Sequence, residues 1–571
     1  MPLRKWRMAP SIPPGSAPDL DAWPWPMPQL LYNRGLRTAA QVEEFIYPER
    51  VGMHDPFLLR GMDVAVERIL CALRAGDLIG IYGDFDVDGL TGTALLMEVL
   101  GSPPLGGRVT AYLPHRLREG YGLNLDAIRT LAGEGVRLLI TVDCGVGAGE
   151  EVRLAARLGM DVIITDHHRP SGDVSPVVAM LNPRQQSCQY PFKELAGVGV
   201  AYKLAEALLS RLWDPGRARE KLGTELDLVA LGTVADLAPL VGENRLLAKL
   251  GLQQLGLGRR PGLRALLAGL NHNGRAVDAH CISYMLGPRL NAAGRMGDAR
   301  LSLNLLMTGS EEEARRLAVE LEAANRERQA AMSVALESAR GELSRLEELP
   351  PAIVLAGDYS AGIVGLVASR LAEEFCRPSF VIERDEMESR GSGRGVPGFD
   401  VVKALSDASD LLTRFGGHVQ AGGFSLRTSD LEAFQARLES AAQQQLGGVP
   451  VPELFLDARL RLGAIGPALQ QSLDLLEPYG PGNGRPLFCS QRVVVRDLRP
   501  VGSGHLRLWL ADDSGVCTAI GFGMAREEYS FIRPGALIDC AYTVGSNERG
   551  GTIGYEMVLR DVWKHGPVLA E

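Results

Sequence analysis

The sequence predicts an α/β protein in which two α/β units are joined by a long helix and followed by a β-barrel. Between about residues 64 and 300, short apolar runs such as DLIGIYGD and MDVIITDHH alternate with stretches of helical spacing, which is the pattern of a parallel sheet. Residues 309–349 contain many charges and no Pro, which indicates one long helix ended by Pro350-Pro351. From about 452 to 565, runs such as RVVVRDL and HLRLWLADD alternate apolar and polar residues, as in a small barrel.

Each segment has its own character. The first 60 residues are rich in Pro and Trp and then mildly helical, so we expect an extended arm and a short helical lead-in. Ser310 and Glu313 have the spacing of a capping box at the start of the long helix. The segment SNERGG at 546–551 is typical of a hairpin turn. We place the domain boundaries at 1–60, 61–305, 306–349, 350–448 and 449–571.

The composition excludes several classes of protein. The 571 residues carry a net charge of −9, and 46% hydrophobic with 23% charged residues is ordinary globular composition, unlike a disordered chain or a coiled-coil rod. No apolar run approaches the roughly 18 residues that span a bilayer, and the N-terminal segment lacks the apolar core of a signal peptide. The eight cysteines form no CxxC pair, so we expect reduced thiols in a cytoplasmic protein that uses no membrane.

Acidic residues and histidines occur at the ends of four apolar runs, all of which we interpret as strands. The carboxyl ends of parallel strands meet at one edge of a sheet, where ligands bind. Strand pleating should bring the first two carboxylates to one side, and Gly89 should permit a tight turn into a helix. In chain order, the four groups are Asp84, Asp86 and Asp88; Asp143; Asp166, His167 and His168; and Asp236.

This many carboxylates would repel one another unless cations neutralised them. Oxygen ligands with one or two imidazoles suit Mn²⁺ or Mg²⁺ better than Zn²⁺. One carboxylate able to bridge suggests two ions about 3.5–4 Å apart, a geometry suited to phosphoester hydrolysis. A single Asp after a strand is ordinarily a helix cap, but four such motifs together favour a metal site.

The motifs DFDVDG, VDCG, DHH and VADLAPL, in this order, resemble those of the DHH phosphoesterase family. PRLNAAGRMGDA, GSGRGVPGFDV, FGGHVQAGGF and the tail segment LEPYGPGNGRPLF resemble the members of that family that degrade single-stranded DNA. The resemblance covers about residues 28–565. It implies a DHH domain, a DHH-associated domain and a C-terminal OB-fold β-barrel. It also implies a metal-dependent 5′→3′ exonuclease that releases mononucleotides in DNA repair and recombination.

The resemblance assigns roles to the acidic and histidine residues. His168 corresponds to a histidine near the scissile phosphate, and we group it with Asp88 and Asp166 as the catalytic set. Relatives in the wider family have a ligand His four residues before the first Asp, where this chain has Gly80, so one ion is expected to have fewer protein ligands. The positions that correspond to metal ligands are Asp84, Asp86, Asp143, His167 and Asp236, with Asp143 as the bridge.

Basic and small residues predict where the DNA is held. Glycines in GSGR should let backbone amides approach a phosphate, and arginine forks can clamp phosphate oxygens. A surface salt bridge or a flexible loop is the ordinary alternative for each, and the resemblance shifts the interpretation towards DNA, including its 5′ end. The candidates for substrate binding are Arg289, Asn291, Arg295, Ser392, Arg394 and His418.

Two further regions bear on the substrate. The family usually has a Trp-His pair where this chain has Tyr359-Ser360; Tyr359 should still stack on a base, whereas Ser360 cannot replace the histidine. In the barrel, Trp509 is either a stacking platform or part of the core. The basic candidates beside it are Arg492, Arg496, Arg499 and Arg507.

Two alternatives compete with the exonuclease. One is a phosphodiesterase for short oligonucleotides or cyclic dinucleotides, and the barrel and the PRLNAAGR segment argue against it because a small substrate needs neither. The other is a scaffold that binds DNA or a replication partner without cleaving, and the intact set of Asp and His argues against that. We therefore expect single-stranded DNA as the partner, with a helicase or a single-strand-binding protein as further candidates.

Overall fold

The computed structural model describes residues 4–170, 172–270, 276–549 and 552–565. These residues form two compact units. One unit spans Met53–Pro450, and the other combines the described residues up to Gly52 with those from Val451 onward. Within the described ranges, no helix is both long and apolar enough to cross a bilayer.

The larger unit begins with a sheet of five parallel strands. Its three central strands are the three apolar runs that precede Asp84, Asp143 and Asp166, so the predicted parallel sheet is confirmed. Their residues are buried almost throughout because helices cover both faces. Across the sheet, the strands are Arg108–Tyr112, Leu78–Gly83, Val136–Val142, Asp161–Thr165 and Ala179–Leu181.

Helices surround this sheet, and one of them corrects the sequence analysis. The run LVALGTVADLAPL, interpreted as a strand, is the buried helix Leu226–Ala235. A short run that is apolar on every side has the same pattern in a buried helix as in a buried strand. The helices of this region are Met62–Ala75, Val87–Gly101, Leu125–Gly133, Gly149–Arg157, Gly197–Ser210, Pro215–Gly223, Leu226–Ala235, Gly242–Gly256, Pro261–Gly269, Ala279–Cys281, Gly287–Met296 and Arg300–Met307, with a π-helical segment at Ile282–Leu286.

The predicted long helix spans Glu311–Leu343, 33 residues and about 50 Å. Only one of the two hydrogen bonds of the expected capping box forms at its N-terminus. The Ser310 hydroxyl accepts a hydrogen bond from the Glu313 amide. The Glu313 carboxylate accepts one from the Thr308 hydroxyl instead of from the Ser310 amide. Leu317 and Leu321 are buried, as their spacing predicts. The apolar side of the helix therefore packs on neighbouring helices.

The second sheet of the larger unit has five strands, of which only the pair Ile353–Gly357 and Ser379–Glu383 is parallel. It corrects the interpretation of GSGR as a phosphate-binding loop. These residues lie in the strand Glu388–Arg394, and its backbone pairs with a strand on each side. The sheet order is Leu412–His418, Ala421–Arg427, Glu388–Arg394, Ser379–Glu383 and Ile353–Gly357, covered by helices Val364–Phe375, Val401–Ser406 and Leu431–Leu446.

Packing explains the glycines of this strand. A Cβ on Gly391 would lie 2.4 Å from the ring of Phe424, and one on Gly393 would lie 2.5 Å from the ring of Phe380. The glycines therefore make room for core aromatic rings and not for a phosphate. The backbone amides of this segment are used by the sheet, so any anion here must be bound by side chains.

The smaller unit contains the predicted barrel, in which five strands close through a pairing of the first with the fourth along the chain. The strand Lys5–Met8 pairs in parallel with Glu453–Leu456, and helices Met27–Asn33 and Ala39–Ile46 share a core with the barrel, so residues predicted as a separate arm belong to this unit. Part of the predicted turn, residues 550 and 551, lies outside the described residues. The other elements are strands Ala458–Arg459, Phe488–Val501, His505–Asp512, Gly515–Gly521, Leu537–Arg549 and Thr552–Lys564 and helix Pro467–Asp474.

Candidate metal centre and phosphate site

The acidic residues meet at the carboxyl edge of the parallel sheet. Asp84, Asp143 and Asp166 each follow directly on one of the three central strands. Asp86 caps the next helix, because its side chain accepts hydrogen bonds from the amides of Asp88 and Gly89. The edge of one sheet thus gathers carboxylates that are far apart in the sequence, as the sequence analysis predicted.

Gly89 has a different purpose from the expected tight turn. It lies in the first turn of helix Val87–Gly101 and has no positive φ. A Cβ on Gly89 would lie 2.5–2.7 Å from backbone atoms of Asp84. Glycine is therefore required because the helix and the Asp84 backbone approach each other closely.

Three groups of side chains could each hold a metal ion, with ligand atoms within 4.8 Å of one another. Two of the groups share one carboxylate, that of Asp143, the residue for which we predict a bridging role. His167 Nε2 lies 3.0 Å from Asp143 Oδ1 and 3.9 Å from Asp236 Oδ2. The groups are Asp84, Asp86 and Asp143; Asp143, His167 and His168; and Asp88, His167 and Asp236.

The ligand atoms of this cluster are suited to a cation. Asp84 Oδ1, Asp143 Oδ1 and His167 Nε2 are buried and make no hydrogen bond in the described part of the chain, although the last two atoms lie 3.0 Å apart. Burial and the neighbouring carboxylates raise the pKa of Asp84 and Asp143 well above the usual range. Burial and His168 lower the pKa of His167 to about 3, so this imidazole is neutral and able to bind a metal. The donor set of carboxylates and imidazole fits Mn²⁺ or Mg²⁺.

Asp88 and Asp166 face the protein and not the solvent. Asp88 accepts hydrogen bonds from the amides of Gly197 and Val198, so it caps helix Gly197–Ser210. Asp166 accepts from three backbone amides and from His168 Nδ1, at 2.7–3.1 Å. These contacts indicate that both carboxylates position the site, and neither is available to touch a substrate.

His168 is held on several sides. Its Nδ1 lies 2.8 Å from Asp166 Oδ1 and 3.2 Å from the Tyr121 hydroxyl, which itself donates to the carbonyl of Asp143. Burial opposes ionisation of this ring, but the bond to Asp166 raises the pKa of His168 above its usual value. His418 stacks on it with ring centroids 5.9 Å apart, so the second sheet contributes to the site as predicted. Tyr121 was missed, although the segment REGYG that contains it is rich in glycine.

A cluster of four arginines is associated with the acidic residues. Burial, then the charges of Arg116, Arg328 and Arg394, lower the pKa of Arg295 to about 9. Burial lowers the pKa of Arg116 although the charges of Asp84 and Asp86 act in the opposite direction, and its guanidinium lies over the Phe85 ring. Arginines that repel one another beside a metal site are suited to bind a phosphate group, whose charge would offset the repulsion. Sequence analysis found two of the four and missed Arg116 and Arg328.

The arginine cluster joins the two sheets of the larger unit. Arg295 Nη1 donates to the carbonyl of Gly362, at 3.0 Å. Arg394 Nη1 donates to Ser392 Oγ at 2.6 Å and to the Gly393 carbonyl at 2.9 Å. Ser392 and Arg394 are therefore brought together, as the sequence predicted, by a strand instead of a loop.

Three predicted contacts are used elsewhere. Arg289 donates to Glu322 of the long helix and to the Met285 carbonyl; burial and then the charge of Arg289 lower the pKa of Arg328, so Arg289 lies beside the arginine cluster with its side chain already paired. The side-chain oxygen of Asn291 accepts from the amide of Val87, where it orients the helix that carries Asp86. Tyr359 is 4% exposed and packs in the core, so the prediction that it stacks on a base is wrong.

Gly80 lies within strand Leu78–Gly83, where other relatives are expected to have a ligand histidine. A Cβ at this position would lie 3.0 Å from Val136 and 3.2 Å from Leu139. Apolar side chains therefore occupy the space beside Gly80.

The barrel settles the position of Trp509. In strand His505–Asp512, Leu506, Leu508 and Leu510 are buried, while Trp509 is half-buried on the other side of the strand. The guanidinium of Arg499 lies 5.2 Å from its ring centroid. Trp509 is thus not a core residue, whereas Arg507 is paired with Glu556.

Comparisons with known proteins agree with this architecture. The DHH family N-terminal domain matches residues 78–233, the DHHA1 domain matches 350–444 and the RecJ OB domain matches 456–561. The fold and the acidic site together define a DHH phosphoesterase.

Similar proteins of known name indicate which family of DHH phosphoesterases this chain resembles. The chain is 36% identical to the single-stranded-DNA-specific exonuclease RecJ of Bacillus subtilis, over 93% of this chain and 67% of the relative. It is 35% identical to RecJ of Salmonella typhimurium, over 94% of this chain and 96% of the relative. Crystal structures of Thermus thermophilus RecJ with Mn²⁺ and with Mg²⁺ superpose with TM-scores of 0.83 and 0.77, at 31% identity, covering 99% of this chain and 80% and 79% of theirs. The chain belongs to the RecJ family.

Proposed function

We propose that this protein is a Mn²⁺- or Mg²⁺-dependent exonuclease that degrades single-stranded DNA from the 5′ end to mononucleotides. One observation carries the proposal: the buried, unpartnered ligand atoms of Asp84, Asp143 and His167 adjoin a cluster of arginines that repel one another. Cations would bind the unpartnered ligand atoms, and an anionic phosphodiester would offset the repulsion among the arginines. The relatives described above are named single-stranded-DNA-specific exonucleases.

The side chains divide the chemistry among them. Asp84, Asp86, Asp143, His167 and Asp236 would hold the ions, which supply an activated water and stabilise charge on the phosphoryl group when bound. Burial, then the charges of Asp88 and Asp86, raises the pKa of Asp236 to about 9, so a cation is needed to keep this carboxylate ionised. His168, oriented by Asp166, would donate its remaining N–H towards the scissile phosphate.

The arginine cluster supports cleavage from the 5′ end. Ser392 and Arg394 lie on a strand of the second sheet. Arg116 follows strand Arg108–Tyr112 of the first sheet, and Arg295 lies in helix Gly287–Met296. A terminal 5′-phosphate carries more charge than an internal phosphodiester, so a pocket of several guanidinium groups would favour it. Holding the terminal phosphate beside the ions would place the first internal phosphodiester at the metal site, and a mononucleotide would be released.

The partners and the compartment follow from this activity. Single-stranded DNA arises where duplexes are opened, so a helicase or a single-strand-binding protein would supply the substrate. The cytoplasm is the proposed location. Half-buried Trp509 with Arg499 over its ring would provide a stacking contact on the barrel.

Digestion of labelled DNA tests the proposal. With Mn²⁺, a 5′-labelled single strand should release labelled mononucleotide at once, while a 3′-labelled strand should shorten progressively. The matched duplex and a reaction with EDTA should show no release. Cleavage confined to dinucleotides would favour the small-substrate phosphodiesterase, and binding of single strands without cleavage would favour the scaffold.

A further inference from the structure

The smaller unit contains a cavity of about 490 Å³ that no part of the proposed reaction uses. The segment before Gly52, the strand Glu453–Leu456 and the loop before Phe488 form it together. Its volume is within the range of pockets that hold small ligands. The residues that decide its chemistry are Arg34, Phe455, Asp457, Arg485 and Arg560.

Arg34 is a rigidly held donor. Its Nε bonds to Asn483 Oδ1 at 2.7 Å, while Nη1 and Nη2 bond to the carbonyls of Leu30 and Gly484. A guanidinium has five N–H groups, so two remain for a ligand. Because the side chain is already ordered, binding an anion here would lose little conformational entropy.

The cavity has an excess of positive charge. The carboxylate of Asp457 is occupied on both oxygens, by the Asn33 side chain and by the amide of Leu487. Arg485 lies 3.5 Å from Glu477, and Arg560 is exposed with no side-chain partner among the described residues. Arg34 and Arg560 therefore remain available to a negatively charged ligand.

An exposed aromatic ring completes the site. Phe455 is 62% exposed, although its neighbours Leu454 and Leu456 are more buried. Arg7 lies over this ring, 5.7 Å from its centroid, and pairs with Glu453. An exposed ring in a cavity lined by guanidinium groups is a platform for a nucleobase, because bases stack on aromatic side chains while arginines contact the backbone phosphates.

We propose that this cavity binds one nucleotide of single-stranded DNA, with its base on Phe455 and its phosphate on Arg34 and Arg560. The proposal rests on single-stranded DNA being the substrate, and it adds a contact in a different compact unit from the metal centre. A nucleotide is favoured over an acidic peptide because the ring offers a stacking surface as well as charge.

Fluorescence anisotropy of the full chain in EDTA tests the proposal without cleavage. The probe is a labelled single strand of roughly 20 nucleotides, longer than the 4–16 that one OB-fold spans. Phe455→Ala should weaken binding about 5- to 150-fold, while Phe455→Trp should keep the parent affinity. Arg560→Ala should reduce the slope of log Kd against log salt by about 0.7, the value for one phosphate contact with a single strand.

Two variants on the same unit are the controls. Val516→Ala removes an apolar side chain that is 66% exposed, and Arg533→Ala removes one exposed charge outside the cavity. Both should bind the strand as the parent does. An unchanged affinity in Phe455→Ala would overturn the proposal, and so would an equal loss in Val516→Ala.

Cleavage separates this proposal from the proposed function. With Mn²⁺, Phe455→Ala should lose more activity on the strand of roughly 20 nucleotides than on a 5′-phosphorylated dinucleotide, because the metal ligands lie in the other unit and are untouched by the substitution. In one outcome, the parent fails to cleave DNA while Phe455→Ala still weakens strand binding. That result would support the nucleotide site in the cavity and refute the proposed exonuclease activity. If an acidic peptide binds through Phe455 and the DNA does not, the cavity serves a protein and the proposal fails.

Discussion

Replacing Arg394 with Ala should weaken the hold on a 5′-phosphate without disturbing the metal centre. Arg394 Nη1 is already bonded to Ser392 and Gly393, so Nε and Nη2 retain N–H groups for a phosphate. Losing a hydrogen bond to a charged group costs about 1.5–3 kcal/mol, which is roughly 10- to 150-fold in affinity. No carboxylate or imidazole ligand contacts this side chain in the described residues.

The surroundings of Arg394 set the sign of its effect on stability. Burial, then the charge of Arg116, lower the pKa of Arg394, so the ionised guanidinium is held at a cost when no anion is present. The melting temperature of Arg394→Ala without DNA should therefore stay the same or rise. A fall would mean that this side chain stabilises the fold and that its loss of activity is indirect.

The assay compares two substrates at saturating Mn²⁺. Parent and variant would be measured on the same single strand with a 5′-phosphate and with a 5′-hydroxyl, and only the phosphate should show the 10- to 150-fold loss. Arg390→Ala is the matched control, because it removes an equal charge from the same strand and its side chain is exposed. An equal loss on both substrates would refute the assignment of Arg394 to the end phosphate.

Three other substitutions test different parts of the structure. Asp143→Ala should abolish cleavage and leave strand binding intact, measured by anisotropy, whereas Cys144→Ala should cleave normally; more than a few percent activity in the first would exclude a bridging role. Gly89→Ala should lower the melting temperature and the response to Mn²⁺ together, because its methyl group would overlap the Asp84 backbone. Burial raises the pKa of Glu98 to about 7, so its ionisation lowers stability as pH rises from about 4.5 to 7; the melting temperature of Glu98→Gln relative to the parent should increase between pH 5 and pH 8.

The site residues that could be predicted from the sequence are those whose position follows from local sequence patterns. Asp84, Asp143 and Asp166 could be placed because strand ends and sheet edges are local features of the pattern. Asp236 was found as a residue but assigned to the wrong element, since an apolar run does not distinguish a buried helix from a strand. Arg116 and Arg328 could not be found, because only the packing of separate segments of the chain brings their charges close to Arg295.

The same limit applies to the purpose of individual residues. Arg289 has the charge for a phosphate contact, but its partner Glu322 lies on the long helix, and only the packing of that helix brings the two together. The glycines of GSGR are conspicuous in the sequence, yet the rings that require them belong to other strands. In both cases the residue type was informative, and the three-dimensional neighbour decided its role.

The parallel pairing of Lys5–Met8 with Glu453–Leu456 has a consequence for synthesis on the ribosome. The first strand emerges roughly 450 residues before its partner, which at about 5–20 residues per second is a delay of roughly 20–90 seconds. Met53–Pro450 can fold before the partner of the early segment is synthesised. During that time Trp6, Leu30 and Leu31, which are buried in the folded protein, lack the residues they pack against. The nascent chain therefore exposes an apolar segment while the larger unit is being translated. A chaperone would be needed most during this period.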